Sequence, residues 1–340
     1  MFPKSLSPKS PLLKRFLSMK TEITEIVLET ENLYQYLEEI KNYSIPRNEF
    51  HDIYEGLLKD RYIPLNKEFK NLVEISMQIN QEQSSLLSIL SNISSLFDHQ
   101  KQITLQALDL KVYISQSFYS SSGLDCTYIH NDRQTNCIQY IISTDPSKES
   151  IVEFLRMIWK SKVKYVVTLT RLSREKFHGI HFWPALNNTI QFQFEKDSFS
   201  LFTKEEVQRK NLVKRIIKIV KNGEKHKVIK QFHVTTTVAN NEPVYKSFKR
   251  LFIQLNEVKE TDYPILFHTS NLNREQCSML ISIDKIIKSL ENNEENINIY
   301  ETVFQMNQYK NSMLVEERQY FDIYEYISCY LKKQSKYYDV

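Results

Sequence analysis

Glycine is the residue that this sequence most clearly lacks. Four glycines occur among 340 residues, at positions 56, 123, 179 and 223. A loop that brings its backbone close to a phosphate usually needs glycine, because a Cβ atom restricts the backbone angles and blocks the approach. The sequence contains neither the dinucleotide-binding motif G-x-G-x-x-G nor the Walker motif G-x-x-x-x-G-K-[ST]. Both of these classes of nucleotide-binding protein are therefore excluded.

Cysteine is also scarce, and its spacing is not that of a metal site. His178 and His181 have no third ligand nearby, so we expect no metal and no other cofactor. Cysteines without paired spacing are typical of a reducing compartment, which predicts a cytoplasmic protein. The four cysteines are Cys126, Cys137, Cys277 and Cys329.

Long apolar runs and a strong net charge are missing as well. No run reaches the roughly 20 residues that a transmembrane helix needs. The net charge is +4, which by itself does not indicate a nucleic-acid partner. Residues 1–19 are basic, contain no acid and carry prolines at positions 3, 8 and 11, a pattern that predicts a disordered basic tail.

Hydrophobic periodicity predicts helices over the first hundred residues. Residues 20–41 place six glutamates opposite an apolar stripe of helical spacing, and further helices are predicted over 48–60 and 66–96. We place a helical extension at 20–65 and the main domain at 66–335. The first helix either packs on the main domain or docks a partner, and both roles stay open. Its apolar stripe consists of Ile23, Ile26, Val27, Leu33, Leu37 and Ile40.

After about residue 100, strand and helix patterns alternate. This mixture, with helices last, indicates an α/β or α+β domain built around one sheet. The predicted strands are Lys111–Tyr119, Cys137–Ser143, Tyr165–Leu169, Leu212–Val220, Val228–Thr235 and Tyr263–Thr269. The predicted helices are Ser150–Lys160, Cys277–Leu290 and Val315–Lys332.

A basic hairpin is predicted around Asn222 and Gly223. Both central residues of a type I′ turn need positive φ, which this pair adopts readily. Residues 209–230 hold nine Lys or Arg and one acid, Glu224. Because alternate residues of a strand share a face, this run predicts one of two surfaces. It is either a solvated strand face or a docking surface for an acidic partner or an anionic membrane.

Residues 264–284, PILFHTSNLNREQCSMLISID, indicate a buried strand, a turn and a helix. Amides at a helix N-terminus point outwards with partial positive charge, so such a junction can bind an anion. The segment resembles the signature of the protein tyrosine phosphatases, in which a strand ends in His-Cys and an Arg precedes the helix. Pro264, Ile265 and His268 match the strand, and Asp284 matches the helix.

The resemblance keeps its order and spacing over about residues 85–333. Each motif is weak alone, and together they are specific to this family. The matching segments are FDHQKQITL (97–105), VYISQSF (112–118), YIISTDP (140–146), FLRMIW (154–159), VVTLTRL (166–172), FWP (182–184) and QYFDIYEYI (319–327). In the family, YIISTDP corresponds to Tyr-Ile-Ala-Thr-Gln-Gly-Pro.

The nucleophilic cysteine of the family is replaced in either alignment register. Thr269 follows the histidine in one register, and Glu275 then occupies the position of the phosphate-clamping Arg. Counting back from Asp284 instead places Ser270 at the nucleophile and Gln276 at the clamp. Neither register recovers the Cys and Arg pair.

Two other catalytic positions are replaced too. The loop whose Trp-Pro-Asp supplies the general acid aligns so that Ala239 stands at the Asp. The glutamine loop that orients the hydrolytic water aligns to Val315. His268 and Arg274 remain as candidates for residual anion binding, although Glu275 beside Arg274 would repel a phosphate.

The resemblance implies an α/β domain with the protein tyrosine phosphatase fold, a highly twisted mixed β-sheet flanked by helices, behind the N-terminal helical extension. The replaced residues predict a pseudophosphatase, a non-enzymatic regulatory or scaffolding protein that binds partners through the retained fold. The expected partners are proteins, among them phosphotyrosine proteins or kinases. Two alternatives stay open: a trap that binds phosphotyrosine without turnover, and an active phosphatase with a non-standard nucleophile.

Overall fold

A computed structural model describes nine stretches of the chain. The predicted tail at 1–19 and the predicted amphipathic helix at 20–41 lie outside them. The described residues are 42–94, 117–119, 124–131, 134–169, 181–235, 244–257, 263–269, 274–309 and 316–338.

The described residues form seven helices and eleven strands. The helices are α1 (Phe50–Lys59), α2 (Ile63–Ser94), α3 (Ile151–Lys160), α4 (Val244–Asn256), α5 (Arg274–Glu291), α6 (Ile299–Tyr309) and α7 (Glu317–Tyr338). The strands are β1 (Ile45–Pro46), β2 (Ser117–Tyr119), β3 (Asp125–Asn131), β4 (Gln134–Thr144), β5 (Tyr165–Thr168), β6 (Thr189–Phe194), β7 (Asp197–Arg209), β8 (Leu212–Lys221), β9 (Lys225–Val234), β10 (Ile265–Thr269) and β11 (Asn296–Ile297).

Nine of the strands form one sheet with the order β2-β3-β4-β10-β5-β9-β8-β7-β6. β10 runs parallel to β4 and β5, and β5 runs parallel to β9. The remaining pairs in this sheet are antiparallel. The predicted mixed sheet is therefore confirmed, with β10 among its inner strands. The short strands β1 and β11 pair separately.

β10 is buried on both faces, which explains the unbroken apolar run Ile265–Phe267 with which it begins. Successive side chains of a strand point to opposite faces. Ile265 and Phe267 accordingly join the larger core, which α1, α2 and α4 to α7 complete. Leu266 joins the smaller core on the other face, where α3 contributes Phe154 and Ile158. Helices therefore cover both faces of the central sheet.

α1 and α2 belong to the same core as the sheet. Phe50, Leu65 and Leu72 are buried within the larger cluster. The carboxylate of Glu68 on α2 accepts a hydrogen bond of 2.6 Å from the hydroxyl of Tyr324 on α7. The last helix thus packs against the first ones, while the predicted domain boundary at residue 66 stays a prediction.

The hairpin prediction is confirmed by β8 and β9. Asn222 has φ of 52° and Gly223 has φ of 74°, as a type I′ turn requires. The sequence did not predict β3, β6 or β7. In β7 the residues 204–209 are all exposed and mostly polar, so the alternation that marks its first half is lost. α5 begins at Arg274, one turn before the predicted start at Cys277. The prediction missed this turn because its residues are polar and carry no apolar periodicity.

Candidate functional site

The candidate site lies where β10 ends and α5 begins, and we call it the β10–α5 junction. The junction comprises residues 268–269 of β10, the first turn of α5, and the side chains that these contact. Residues 270–273 between them, which include Ser270, lie outside the described residues, and so do Ala239 and Val315. The structure therefore places four of the predicted site residues: His268, Thr269, Arg274 and Glu275.

Thr269 is the last residue of β10 and is fully buried. Its carbonyl oxygen accepts a hydrogen bond of 2.9 Å from the amide of Asp145. Its hydroxyl Oγ1 has no hydrogen-bond partner among the described residues. A hydroxyl needs an adjacent base before it can attack phosphorus, and the described surroundings place none beside Thr269.

His268 has both ring nitrogens engaged and is buried. Nδ1 lies 2.8 Å from Oδ1 of Asp145, and Nε2 lies 2.7 Å from Oγ1 of Thr168. A neutral ring that donates from Nδ1 to the carboxylate accepts the Thr168 hydroxyl at Nε2. The rings of Phe154 and Phe182 both pack edge-on against the imidazole, at 5.5 and 5.6 Å between centroids. Both ring nitrogens of His268 are therefore engaged within the protein, with Asp145 and with Thr168.

The hydrogen-bond chain from His268 continues into the basic hairpin. The amide of Gln231 donates to Oγ1 of Thr168 over 2.8 Å. Nη1 of Arg215 donates to Oε1 of Gln231 over 3.3 Å, and its Nε donates to Glu206 over 2.6 Å. Arg215 also lies 5.2 Å from the ring centre of Trp183, at cation–π distance. The basic run is therefore not confined to one face, because Arg215 points inwards.

Arg274 is held by an acid that the sequence analysis did not identify. Its Nη2 atom lies 2.5 Å from Oδ2 of Asp125, the first residue of β3. The two side chains are only 13% and 11% exposed. Breaking this short ion pair would leave a largely buried charge without its partner, so the paired position of Arg274 is strongly favoured over a solvated one. The guanidinium is thus neutralised within the protein.

Carboxylates increase the negative charge of the junction. Asp145 contacts His268 and occupies the position at which the family motif Tyr-Ile-Ala-Thr-Gln-Gly-Pro has Gly. The sequence alone could therefore have identified Asp145 as a site residue, because an acid stands where the family has Gly. Glu275 stands in the first turn of α5, where a negative charge interacts favourably with the helix dipole. With Asp125, the part of the junction that the structure describes holds three acids and one arginine, a balance that disfavours a phosphate dianion.

The two thiols near the junction are both buried. Burial raises the pKa of Cys126 to about 11, and it also raises the pKa of Cys277 strongly. Cys126 follows Asp125 in β3, and its Sγ lies 3.4 Å from Oγ of Ser143. Both therefore remain protonated near neutral pH, whereas the thiolate is the form that attacks phosphorus.

The described residues contain neither a cluster of metal ligands nor a membrane-spanning helix. Within the described stretches, no three His, Cys, Asp or Glu side chains are grouped closely enough to hold a metal ion. His181 packs edge-on against Trp183 at 4.7 Å between ring centroids, and His178 lies outside the described residues. None of the described helices is both long and apolar enough to cross a membrane.

The sequence matches one protein family and several known proteins. The family described as protein-tyrosine phosphatase matches residues 99–329. Tyrosine-protein phosphatase 69D of Drosophila melanogaster is 28% identical over 196 residues, which cover 55% of this chain and 13% of that protein. Receptor-type tyrosine-protein phosphatase S of Gallus gallus is 23% identical over 291 residues, which cover 83% of this chain and 18% of that protein. The chain thus spans less than a fifth of either relative.

A solved structure extends the comparison to the fold. It comes from work on the fingerprint of PTPN18 on distinct HER2 tyrosine phosphorylation sites, and it superposes with a TM-score of 0.61. The match covers 82% of this chain and 99% of the solved chain at 13% sequence identity. At that identity the likeness concerns the fold, and it confirms the predicted architecture of the sheet and its helices.

Proposed function

Because this chain belongs to the protein-tyrosine phosphatase family, we propose that it is a catalytically inactive member of it. In this proposal it acts in the cytoplasm as a regulatory or scaffolding module that binds other proteins, phosphotyrosine proteins or kinases among them. The observation that carries the proposal is the ion pair of Arg274 with Asp125, beside a strand that ends in a buried threonine. Arg274, which the sequence offers as a residual anion-binding residue one position before the clamp, pairs with an internal acid and is not poised for a phosphate.

The nucleophile is the first reason for proposing inactivity. A cysteine thiolate can be stabilised near neutral pH by loop amides and a helix dipole, whereas a threonine hydroxyl needs a base. His268 is the nearest candidate base in sequence, and its two nitrogens are bound to Asp145 and Thr168. Cys277 does not substitute for the missing thiolate, because burial raises its pKa.

The general acid is the second reason. Ala239 aligns with the family's Asp and has no proton to give a leaving tyrosine oxygen. General acid catalysis typically contributes about 10²–10⁴-fold, and clamping by charged groups contributes further. Loss of nucleophile, acid and clamp together leaves little turnover to expect.

A phosphotyrosine trap is the nearest competing proposal. Such a trap needs a cation or helix amides that are available to the anion. A phosphate at Arg274 would have to displace Asp125 and approach Glu275 in the same turn. The pairing therefore supports protein interaction without phosphate recognition.

Turnover is the first test of the proposal. The full chain is incubated with a phosphotyrosyl peptide, and phosphate release is compared with that of the Thr269→Ala variant. We expect no release above this control. Release by the wild-type chain that disappears in Thr269→Ala would establish an active phosphatase with a non-standard nucleophile.

Binding is the second test. A fluorescent phosphotyrosyl peptide and its unphosphorylated twin are titrated with the wild-type chain, Arg274→Ala and Asp125→Asn. We expect no phosphate-dependent binding by the wild type. Asp125→Asn removes the charge that holds Arg274, so weak phosphate-dependent binding gained by this variant would support our account of the ion pair. Saturable binding by the wild type that Arg274→Ala abolishes would instead favour the trap.

A further inference from the structure

A groove of about 560 Å³ lies between α4 and the face of β7, β8 and β9 that does not carry Arg215. We call it the β7–α4 groove. Cross-strand neighbours share this face: Glu205 pairs with Ile216, which pairs with Lys230, and Val207 pairs with Lys214. None of the predicted catalytic residues lines this groove.

Apolar side chains in the groove are exposed to an unusual degree. Val207 on β7 is 48% exposed and Ile253 on α4 is 49% exposed, and Ile216 on β8, which also lines the groove, is partly exposed. A single exposed apolar residue needs no explanation, but several that line one concavity are typical of a binding surface. An apolar side chain of a ligand would remove these residues from water, which favours binding.

Positive charges rim the same groove. Lys214 donates a hydrogen bond of 3.0 Å to the side-chain oxygen of Gln254, and Arg250 donates one of 3.3 Å to Asn211. Both partners are neutral amides, so these bonds position the cations without neutralising them. Among the described residues, the lining holds four cations and two acids; they are Arg209, Lys214, Lys230 and Arg250, with Glu205 and Glu257.

We propose that the β7–α4 groove binds an acidic segment of a partner protein, with apolar side chains on Val207 and Ile253 and carboxylates on the surrounding cations. This deepens the proposed interaction role and rests on it. The cations outnumber the acids, so charge complementarity selects an acidic ligand. The groove is concave, so a peptide segment can enter it and reach Val207 and Ile253, whereas the surface of an anionic bilayer is flat.

The charge component is tested with a short fluorescein-labelled peptide of alternating Glu and Leu, read by anisotropy on the full chain. The matched peptide carries Lys in place of each Glu. We expect the acidic peptide alone to bind, more weakly as salt rises. Lys230→Glu/Arg250→Glu should weaken binding about tenfold or more. The control Lys148→Glu/Lys196→Glu changes the same total charge at exposed lysines outside the groove and should leave binding unchanged.

The apolar component is tested with a second matched pair. Ile253→Asp places an acid inside the groove, and Val228→Asp places one on β9 at 48% exposure but outside the lining. We expect only Ile253→Asp to abolish binding of the acidic peptide. Equal effects of the two variants, or equal binding of the Glu and Lys peptides, would overturn the proposal.

Further outcomes distinguish this proposal from membrane binding and from the proposal of catalytic inactivity. Binding to phosphatidylserine vesicles but not to the acidic peptide, lost in Lys230→Glu/Arg250→Glu, would assign the groove to a membrane and overturn the peptide proposal. No binding of the acidic peptide would overturn the groove and leave catalytic inactivity standing. Phosphate release by the wild-type chain would overturn inactivity and leave the groove result standing.

Discussion

The β10–α5 junction and the β7–α4 groove differ in the partners of their charged side chains. At the junction, Arg274 pairs with Asp125 and His268 contacts Asp145, each pair largely buried. In the groove, cations such as Lys214 are positioned by neutral amides. The first region satisfies its charges internally, and the second presents its charges to an external ligand. The comparison suggests that binding capacity lies at the groove and not at the position of the family's active site.

The difference follows from where each region lies in the sheet. β10 is an inner strand covered on both faces, so a charge at its end costs several kcal/mol unless it is paired. The strands β7 and β8 lie towards one edge, and residues 204–209 are exposed. Water solvates charges there at little cost, so cations can remain available for a partner.

The largest expected effect concerns the thiols beside the junction. At about pH 8, a pKa of about 11 leaves on the order of one Cys126 in a thousand as thiolate. Cys277 should react more slowly still, because burial raises its pKa and blocks the reagent. We expect iodoacetamide to label the partly exposed Cys137 and Cys329 at least about a hundredfold faster, as measured by peptide mass spectrometry.

Because both shifts are upward, labelling of Cys126 should rise as the pH approaches 11. The urea-unfolded chain serves as the control, since all four cysteines should then react at similar rates. Rapid labelling of Cys277 in the folded protein would show that the junction is open, and the contrast with the groove would fail.

Sequence reasoning recovered the parts of these regions that carry local signals. The segment 263–269 has an apolar run, Ile265–Phe267, before its two polar residues, as is typical of a strand buried on both faces. Asn222 and Gly223 suit the positive φ that their turn requires. Strand β7 was missed because half of it is polar on both faces, and the groove was missed with it.

The pairings at the junction were not predictable from local pattern. Asp145 and His268 are 123 positions apart and meet because β4 and β10 are parallel neighbours. Sheet order of this kind is not encoded in periodicity. Asp145 did carry a signal, since an acid replaces the family's Gly. Asp125 carried none, because β3 itself was not predicted, and its pairing with Arg274 emerged only from the fold.

The second prediction measures the cost of breaking the internal pairing. Arg274→Ala leaves Asp125 largely buried without this partner, so the free energy of unfolding should fall by about 3 kcal/mol. Urea denaturation followed by circular dichroism measures the loss. The double variant Asp125→Ala/Arg274→Ala should cost less than the sum of the single variants, because it leaves no isolated charge.

An exposed pair provides the matched control for this cycle. Lys204 and Glu205 lie 4.0 Å apart on β7, with side chains 68% and 54% exposed. The same cycle on this pair should give a coupling of about 0.3 kcal/mol. Similar coupling energies for the two pairs would mean that the Arg274–Asp125 pair is as solvated as the pair on β7. The contrast between a buried, paired junction and an exposed groove would then be wrong.

The smallest expected effect concerns the stability of the groove itself. Lys230 is exposed, and its Nζ lies 5.8 Å from the ring centre of Tyr165. We expect Lys230→Gln to change the free energy of unfolding by less than about 0.5 kcal/mol, because the substitution shortens an exposed side chain slightly and removes a largely solvated charge. Lys148→Gln, at an exposed position outside the groove, should behave alike in the same urea titration. A loss above about 1 kcal/mol for Lys230→Gln alone would show that the groove's cations stabilise the sheet. Those cations would then resemble Arg274 in serving the fold, and a partner would no longer be needed to explain them.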